Sequence, residues 1–411
     1  MIFPFTSSSL AQARVWIFTA ICFVLPMKAS FIYVLSALLL LVWIAEGRWL
    51  EKIEEVLRSK LCLAFIAYYC VYVLAMLWTE NAAAGWHMVD RQIPILLFLL
   101  FWSSAEPQYR ERYISSFLAG LSVCAVLAHY NWIQLHWFPD WPRGVRVFKG
   151  AEDTAPFVDW IMYTPILALG TYFSLHRVVF EVDMRSRVLA IGLTILFLSN
   201  LAFSGGRAGM VMFAALCIAL VFERIKARGK ALLICVVLLP IIFFATYSTQ
   251  SHFANRVDNA VNNIRTFQED PNTSAGLRIV FWATSFQLFL QNPVLGVGSG
   301  DFTEEYARIK PAYWKGTPDT VNPHNQFLLT AATTGLLGLT ALLSIIYFAA
   351  FSGNDMRIRS VLIGFAVVCM FESYLWRSNT ALTFSAILAV LVAQPNSRNW
   401  NASKAMNPAI T

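Results

Sequence analysis

The hydrophobic positions of this chain fall into long uninterrupted runs that short polar segments separate. Twelve such runs lie between residues 13 and 393, and Leu61–Trp78 is representative of them. A helix rises about 1.5 Å per residue, so about 20 apolar residues cross the hydrocarbon core of a bilayer. The runs are too long, and alternate too little, for the strands of a membrane barrel. The pattern therefore predicts an all-α, polytopic membrane protein with about 12 transmembrane helices.

The composition excludes an ordinary soluble domain. Hydrophobic residues make up 58% of the 411 positions and charged residues only 13%. Soluble domains carry about 45–50% apolar and about 25% charged residues. A soluble fold could not cover this much apolar surface, whereas a bilayer accepts apolar side chains on the outside of the protein.

The distribution of lysine and arginine predicts the orientation. If the N-terminus is cytoplasmic, eighteen of these residues fall in cytoplasmic segments and seven in the short outer segments. The long loop is left out of this comparison, because long loops cross largely regardless of charge. We therefore expect both termini in the cytoplasm, nine transmembrane helices in residues 1–247, a large outer loop with interfacial helices in 248–326, and three further helices with a cytoplasmic tail in 327–411.

Cysteine and acidic residues give no support for a disulfide framework or a metal site. All seven cysteines lie inside hydrophobic runs. The outer loops contain no Asp-x-Asp triplet and no cluster of histidine and cysteine, so neither a divalent metal nor a disulfide scaffold is expected.

The N-terminus lacks a basic region followed by a cleavage site, and it is interpreted as a retained first helix.

Two arginines stand where an anion could bind. Arg207 closes a Ser-Gly-Gly-Arg turn between two runs, and an arginine so near to hydrocarbon is costly without an anionic partner. Arg278 stands at the start of an apolar helix, where free backbone N–H groups also favour anions. Because a guanidinium fork suits phosphate oxygens, both are candidate phosphate ligands. The alternatives are a snorkelling arginine for Arg207 and a lipid headgroup contact for Arg278.

His324 is the candidate general base. It lies in Asn-Pro-His-Asn-Gln directly before the run Phe327–Phe351, with Pro323 restricting the backbone on one side. An imidazole can accept a proton near neutral pH, as a general base must. The neighbouring Asn325 could orient the ring or contact a sugar. The alternative for a lone histidine is a structural role.

The glycine-rich segment Gly296–Asp301 invites comparison with nucleotide-binding loops. It neither follows a strand nor opens a βαβ unit, so the context of a dinucleotide fold is missing. The preferred interpretation is a turn that brings Arg278 and His324 together.

The order and spacing of several short motifs resemble those of one bacterial family, the O-antigen ligases, O-antigen polymerases and related O-oligosaccharyltransferases. The length, the helix count and the single large late outer loop are most similar to the ligase. This resemblance implies a GT-C-like glycosyltransferase. The motifs that carry it are Ser204-Gly205-Gly206-Arg207, Arg278 ahead of an aromatic helix, Gly296-x-Gly298, Pro323-His324-Asn325, and Gly335 with Gly338 in the following run.

The resemblance implies a reaction. A ligase of this type moves an O-antigen glycan from undecaprenyl pyrophosphate to a sugar hydroxyl of lipid A–core, at the periplasmic face of the inner membrane, and so contributes to lipopolysaccharide. It uses no metal, nucleotide or other cofactor, and no nucleic acid partner is expected. The family's two essential arginines correspond to Arg207 and Arg278, and its histidine to His324.

The resemblance also implies the roles of these residues. Arg207 and Arg278 would bind the pyrophosphate as charge develops on it, and His324 would take the proton from the acceptor hydroxyl. Direct attack opposite the leaving group predicts inversion. Phosphates of the acceptor core could be held by a basic and aromatic outer loop, although ordinary interfacial charge is the alternative; its candidate residues are Arg143, Arg146 and Lys149.

Two other functions fit part of the sequence. An O-antigen polymerase uses the same donor with a different acceptor, but polymerases usually show two comparable outer loops, and here one dominates. A transporter or flippase places ionisable groups near the bilayer midplane and often shows inverted repeats. The runs here are nearly free of such charge, and Glu372 lies close to the outer end of its run.

Overall fold

The computed structural model describes residues 7–142, 144–145, 153–249, 251–314 and 316–394. The predicted all-α class is confirmed over this part of the chain, which is 77% helix and contains no strand. The α-helices in chain order are α1 Ser7–Val24, α2 Ala29–Ala45, α3 Trp49–Arg58, α4 Lys60–Leu74, α5 Ala82–Asp90, α6 Ile93–Leu96, α7 Phe98–Ser104, α8 Arg110–His136, α9 Trp160–Phe180, α10 Met184–Phe203, α11 Arg207–Arg224, α12 Arg228–Thr249, α13 Ser251–Arg265, α14 Ser274–Gln291, α15 Phe302–Ile309, α16 Gln326–Ala350, α17 Met356–Cys369 and α18 Ser378–Val392.

Short polar side chains set the starts of several helices. Four side chains each accept a hydrogen bond from the backbone N–H three residues further on: Ser59, Asp159, Asp183 and Thr273. Such caps satisfy one of the four N–H groups that a helix start leaves without a partner. The local sequence thus fixes where α4, α9, α10 and α14 begin.

Several helices are suited to a membrane by length and composition. Within the described ranges four pass this test, or five if the bent pair α2 and α3 is one span. These apolar helices agree with an integral membrane protein. The total of about twelve spans stays a prediction. The four candidate spans are Lys60–Trp78, Pro107–His136, Met184–Phe203 and Gln326–Ala350.

The helices pack into a bundle with two chemically different ends. α9 packs against α10 and α11, α11 packs against α17, and α4 packs against α16. The end that carries the Ser204–Arg207 turn, the start of α16 and the turn between α17 and α18 is called the site end. The other end carries the starts of α8 and α17 and the last residues of α18, and is called the opposite end.

α16 is broken at Gly335. This residue has φ 64° and ψ −157°, a backbone region that only glycine adopts readily. A Cβ atom at Gly338 would lie 3.1 Å from Cγ2 of Thr330, although residues eight apart in a straight helix are separated by about 12 Å along the axis. Phe327 and Ile345 also line the same apolar cleft. Residues 326–334 and 336–350 therefore fold back against each other, where the sequence predicted one continuous helix.

The first half of α16 runs alongside α4 in the same direction. The Nε2 atom of Gln326 donates to the hydroxyl of Tyr68 at 3.3 Å, and the hydroxyls of Thr330 and Tyr72 are 3.2 Å apart. Tyr68 precedes Trp78, where this apolar segment ends, by about 15 Å of helix. The start of α16 therefore lies beside the middle of α4, about three turns before the end of this apolar segment.

The glycine-rich segment 293–298 holds this broken helix through its backbone. A Cβ at Gly296 would lie 2.4 Å from the backbone of Thr333, and a Cβ at Gly335 would lie 2.2 Å from the carbonyl oxygen of Val294, so the close approach requires glycine at both positions. The segment thereby ties the end of α14 to α16. The backbone bonds run from Val297 to Ala332, from Gly298 to Thr333, from Leu336 to Pro293 and from Leu337 to Val294.

Candidate active site

Arg207 is the first residue of α11 and follows a turn that packs tightly on α9. A Cβ at Gly205 would lie 1.6 Å from the ring of Trp160, and one at Gly206 would lie 2.0 Å from Oγ1 of Thr164. Glycine is needed here for close packing, since Gly206 has an ordinary φ of −83°. The turn places the exposed side chain of Arg207 at the site end.

Arg278 lies in the first turns of α14, whose start is capped by Thr273. Burial lowers the pKa of its guanidinium, as does the positive charge of Arg207, while the charge of Glu372 acts in the opposite direction. Such effects require these side chains to lie near one another. The structure thus brings Arg207 and Arg278 into one region although they are 71 positions apart.

His324 occupies a backbone conformation that is unusual for a side chain of its size. Its φ is +52°, in the left-handed region. The side chain of Asn322 supports this turn, because its Oδ1 atom accepts a hydrogen bond from the backbone N–H of His324 at 2.8 Å. The same Oδ1 atom accepts from the hydroxyl of Ser373. The imidazole is thereby fixed at the start of α16 with 32% of its side chain exposed.

Glu372 is the partner of His324. Its Oε2 atom lies 2.8 Å from Nδ1 of the imidazole, and its side chain is only 3% exposed. It also accepts hydrogen bonds from Asn322 Nδ2 and Arg377 Nη2, each at 3.2 Å. Burial raises the pKa of Glu372, but the hydrogen bond from His324 and the charge of Arg377 outweigh this and lower the pKa to about 2. The carboxylate is therefore ionised near neutral pH.

The ionised carboxylate selects one form of the imidazole. A carboxylate can only accept hydrogen bonds, so Nδ1 of His324 must donate to Glu372. In the neutral ring, the proton on Nδ1 leaves Nε2 with a free lone pair. The pair therefore holds His324 in the tautomer in which Nε2 can accept a proton.

α14 joins the arginine side of the site to the histidine side. The ring of Phe281 stacks on His324 with centroids 5.9 Å apart, and Phe281 is one helical turn after Arg278. The Nε atom of Arg278 and Nε1 of Trp282 are buried donors without a hydrogen-bond acceptor among the described residues. Buried donors usually have a partner. This face of α14 thus offers N–H groups suited to an anionic or oxygen-rich ligand.

The remaining predicted residues have different outcomes. Asn325 is 8% exposed and caps α16, because its Oδ1 atom accepts from the N–H of Leu328 at 3.1 Å. Its carboxamide oxygen therefore serves the helix start, and a sugar contact stays a prediction. Arg143, Arg146 and Lys149 lie outside the described residues.

The sequence analysis did not assign Asn322, Glu372 and Arg377 to the site. Glu372 follows His324 by 48 positions and stands in a turn between two short apolar helices, so no spacing rule connects the two. One signal was available, since an ionisable residue within an apolar run is a functional candidate by default.

Two comparisons with known proteins show what this chain is similar to. Residues 192–343 match the family model described as O-antigen ligase. This match supports an O-antigen ligase family member. The O-antigen ligase segment contains Arg207, Arg278 and His324, whereas Glu372 and Arg377 lie beyond its end. A second comparison finds an uncharacterized protein of Haemophilus influenzae that is 23% identical over 323 residues, 76% of each chain.

The match to the family model supports a coarse functional assignment. The O-antigen ligase segment indicates a ligase or polymerase type of function, that is, a glycosyltransferase-like membrane enzyme of O-antigen and lipopolysaccharide biosynthesis. All seven cysteines are free. Among the described residues no three His, Cys, Asp or Glu side chains are grouped as metal ligands would be. Independence of metal ions stays a prediction.

Proposed function

We propose that this protein transfers an O-antigen glycan from undecaprenyl pyrophosphate to a sugar hydroxyl of lipid A–core. The site end faces the periplasm and the opposite end faces the cytoplasm, with the protein in the inner membrane. The observation that supports this proposal most is the pairing of His324 with the buried Glu372, within electrostatic range of Arg278 and Arg207.

The histidine acts as general base. The acceptor hydroxyl attacks the anomeric carbon of the glycan, and Nε2 of His324 takes the hydroxyl proton as the new C–O bond forms. The resulting imidazolium keeps its Nδ1 hydrogen bond to Glu372 and is stabilised by that negative charge. Glu372 remains ionised throughout and acts as a positioning residue.

The arginines stabilise the leaving group. The bond between the anomeric carbon and the pyrophosphate oxygen breaks, and its electron pair stays on undecaprenyl pyrophosphate, which gains negative charge. The guanidinium groups of Arg207 and Arg278, whose charges lie within range of each other, stabilise this charge as it develops. Because the hydroxyl attacks from the side opposite the leaving group, the anomeric configuration inverts.

The decisive variant is His324→Asn. Asparagine tolerates the left-handed backbone of this position but cannot serve as a base. We expect transfer to lipid A–core to fall by about 10²–10⁴-fold, seen as loss of the O-antigen ladder on a gel at equal protein level. His136→Ala is the matched control, since His136 is exposed at the end of α8 and its Nδ1 bonds only its own helix.

Two outcomes would contradict the proposal. A ladder of normal intensity in His324→Asn would remove the catalytic role of the histidine. Wild-type protein that extends carrier-linked glycan, but never transfers it to lipid A–core, would indicate the polymerase reaction instead.

A further inference from the structure

A second group of cationic side chains lies at the site end and has no place in the mechanism above. Arg91 caps the C-terminal end of α5, and its guanidinium lies over the ring of Trp376 at 5.2 Å from the ring centroid. The side chain is half-buried and forms no hydrogen bond or ion pair with any described residue. A cation–π contact satisfies the face of a guanidinium but none of its N–H groups.

Two further donors belong to Trp376 itself and to Arg377, the next residue along the chain. Nε1 of Trp376 and Nε of Arg377 are buried and have no acceptor within the described ranges. Arg377 uses a different nitrogen, Nη2, to reach Glu372 at 3.2 Å. Three neighbouring side chains therefore present N–H groups, and none presents an acceptor. An anionic oxygen group is the chemistry that satisfies such an arrangement.

The position of this group indicates which substrate it would meet. Arg91 and Arg377 come from the end of α5 and the start of α18, whereas Arg207 and Arg278 come from α11 and α14. Glu372 connects the two groups, because Arg377 hydrogen-bonds it and Arg278 lies within range of its charge. If Arg207 and Arg278 hold the leaving pyrophosphate, the acceptor must approach the anomeric carbon from the other side, beside the histidine.

We infer that Arg91, Trp376 and Arg377 form a second anion subsite that binds a phosphate or carboxylate substituent of the acceptor sugar. This inference rests on the proposed function. The guanidinium groups bind the oxyanion, and the subsite orients the acceptor hydroxyl toward His324. Specificity for an anionic acceptor thus comes from a place in the fold separate from the donor arginines.

The test is steady-state kinetics of Arg91→Gln, with full-length protein in nanodiscs of phosphatidylcholine. We expect KM for lipid A–core to rise about 10-fold or more, as for a lost hydrogen bond to a charged group. KM for the donor and kcat should stay within about twofold of wild type. Arg91→Lys, which keeps the charge but not the fork, should recover part of the loss.

Modified acceptors identify the group that is bound. Wild-type protein should lose affinity for acceptor whose phosphates have been removed, or for acceptor whose carboxylates have been amidated. Arg91→Gln should add nothing further with whichever acceptor shows the loss. If the effect of Arg91→Gln occurs only in nanodiscs that contain phosphatidylglycerol, the ligand is a lipid headgroup and the inference is wrong.

A matched control lies at the opposite end. Arg112 also stacks on a tryptophan, with its guanidinium 3.6 Å from the ring centroid of Trp16, and Arg112→Gln should leave both KM values unchanged. An unchanged acceptor KM in Arg91→Gln, or equal rises for donor and acceptor, would overturn the subsite. Binding of acceptor measured without donor decides the same question even if the wild-type protein transfers nothing, in which case the proposed function fails and the subsite is judged separately.

Discussion

At the opposite end of the molecule, Arg14 lies between Glu46 and Glu106 at 2.8 and 2.7 Å, whereas Arg278 at the site end forms no ion pair with any described carboxylate. Arg357 of the opposite end is paired in the same way. It meets Asp355 and Glu111, and side-chain exposure falls to 14% for both partners in the pair with Asp355. Not every arginine of this end is paired, since Arg112 stacks on Trp16 and Tyr109 and Arg359 forms no ion pair with a described carboxylate.

The difference separates two uses of arginine. A half-buried ion pair cancels its own field and holds helices together. A half-buried arginine without a counter-ion costs stability, and it leaves a positive potential that an anionic ligand can neutralise. We therefore infer that the paired arginines of the opposite end stabilise the fold, whereas the unpaired Arg278 of the site end is available to bind a ligand.

Among the arginines of the two ends, Arg278 should have the largest effect on the reaction when it is replaced. We expect Arg278→Gln to lower kcat by about 10²–10³-fold, because one preorganised charge facing the leaving group is lost. Stability should hold or rise slightly, since burial of an unpaired cation is relieved. Steady-state kinetics and thermal unfolding of the same sample measure kcat and stability. A destabilised variant with normal kcat would contradict the proposed difference between the two ends.

Replacing Arg357 should show the reverse behaviour. Arg357→Gln leaves the side chain of Asp355 short of its closest partner, at a cost of about 2 kcal/mol in the free energy of unfolding. The activity of the protein that remains folded should not change. Arg359→Gln is the control, because Arg359 is exposed and forms no ion pair with a described carboxylate. Equal losses in the two variants would argue against a structural role for the pairing.

The contribution of Glu372 to stability should depend on pH. The pKa of Glu372 is lowered to about 2, below the value of about 4.3 for glutamate in an unfolded chain. Its contribution to stability is therefore full above about pH 5 and is lost as the pH falls toward 2. The difference in Tm between wild type and Glu372→Gln should shrink as the pH falls from about 5 toward 2. A difference that stays constant over this acidic range would mean that another group carries the stability.

The smallest effect is expected on α3. Arg58 pairs with Glu54, but 78% of the arginine side chain is exposed, and solvent screens such pairs. Arg58→Ala should leave Tm and activity unchanged within error. A measurable loss of stability would mean that exposure is a poor guide to the value of these ion pairs.

The sequence predicted the fold class and the membrane setting, because apolar runs and the lysine and arginine distribution report burial in lipid directly. It did not predict the break in α16. Phe327–Phe351 is apolar throughout, and a hydropathy pattern carries no signal for a reversal that depends on Gly335 meeting a distant segment. The glycines at 296 and 335 were noted as motif positions, and only the structure shows that each lies against the backbone of the other's segment.

Some residues of the site could be predicted from the sequence and others could not. Arg207, Arg278 and His324 each stand beside a local signal, a turn, a helix start or a proline, and the family resemblance joined them. Arg91 has no such signal, and Glu372 has only its place in an apolar run; their partners lie 285 and 48 positions away. Their importance depends on which helices pack together, and a single sequence does not encode that in any local pattern.

The backbone hydrogen bonds between segment 293–298 and α16 affect which parts of the sequence can vary during evolution. The atoms that hold the fold-back belong to the main chain and to glycines, so they place few demands on the identity of other side chains. Exposed positions after this segment, such as Ala307 and Tyr313, can therefore change without moving His324, whereas Ser299, Asp301 and Tyr306 are buried. The catalytic residues would then stay the same during evolution while the exposed residues around them change.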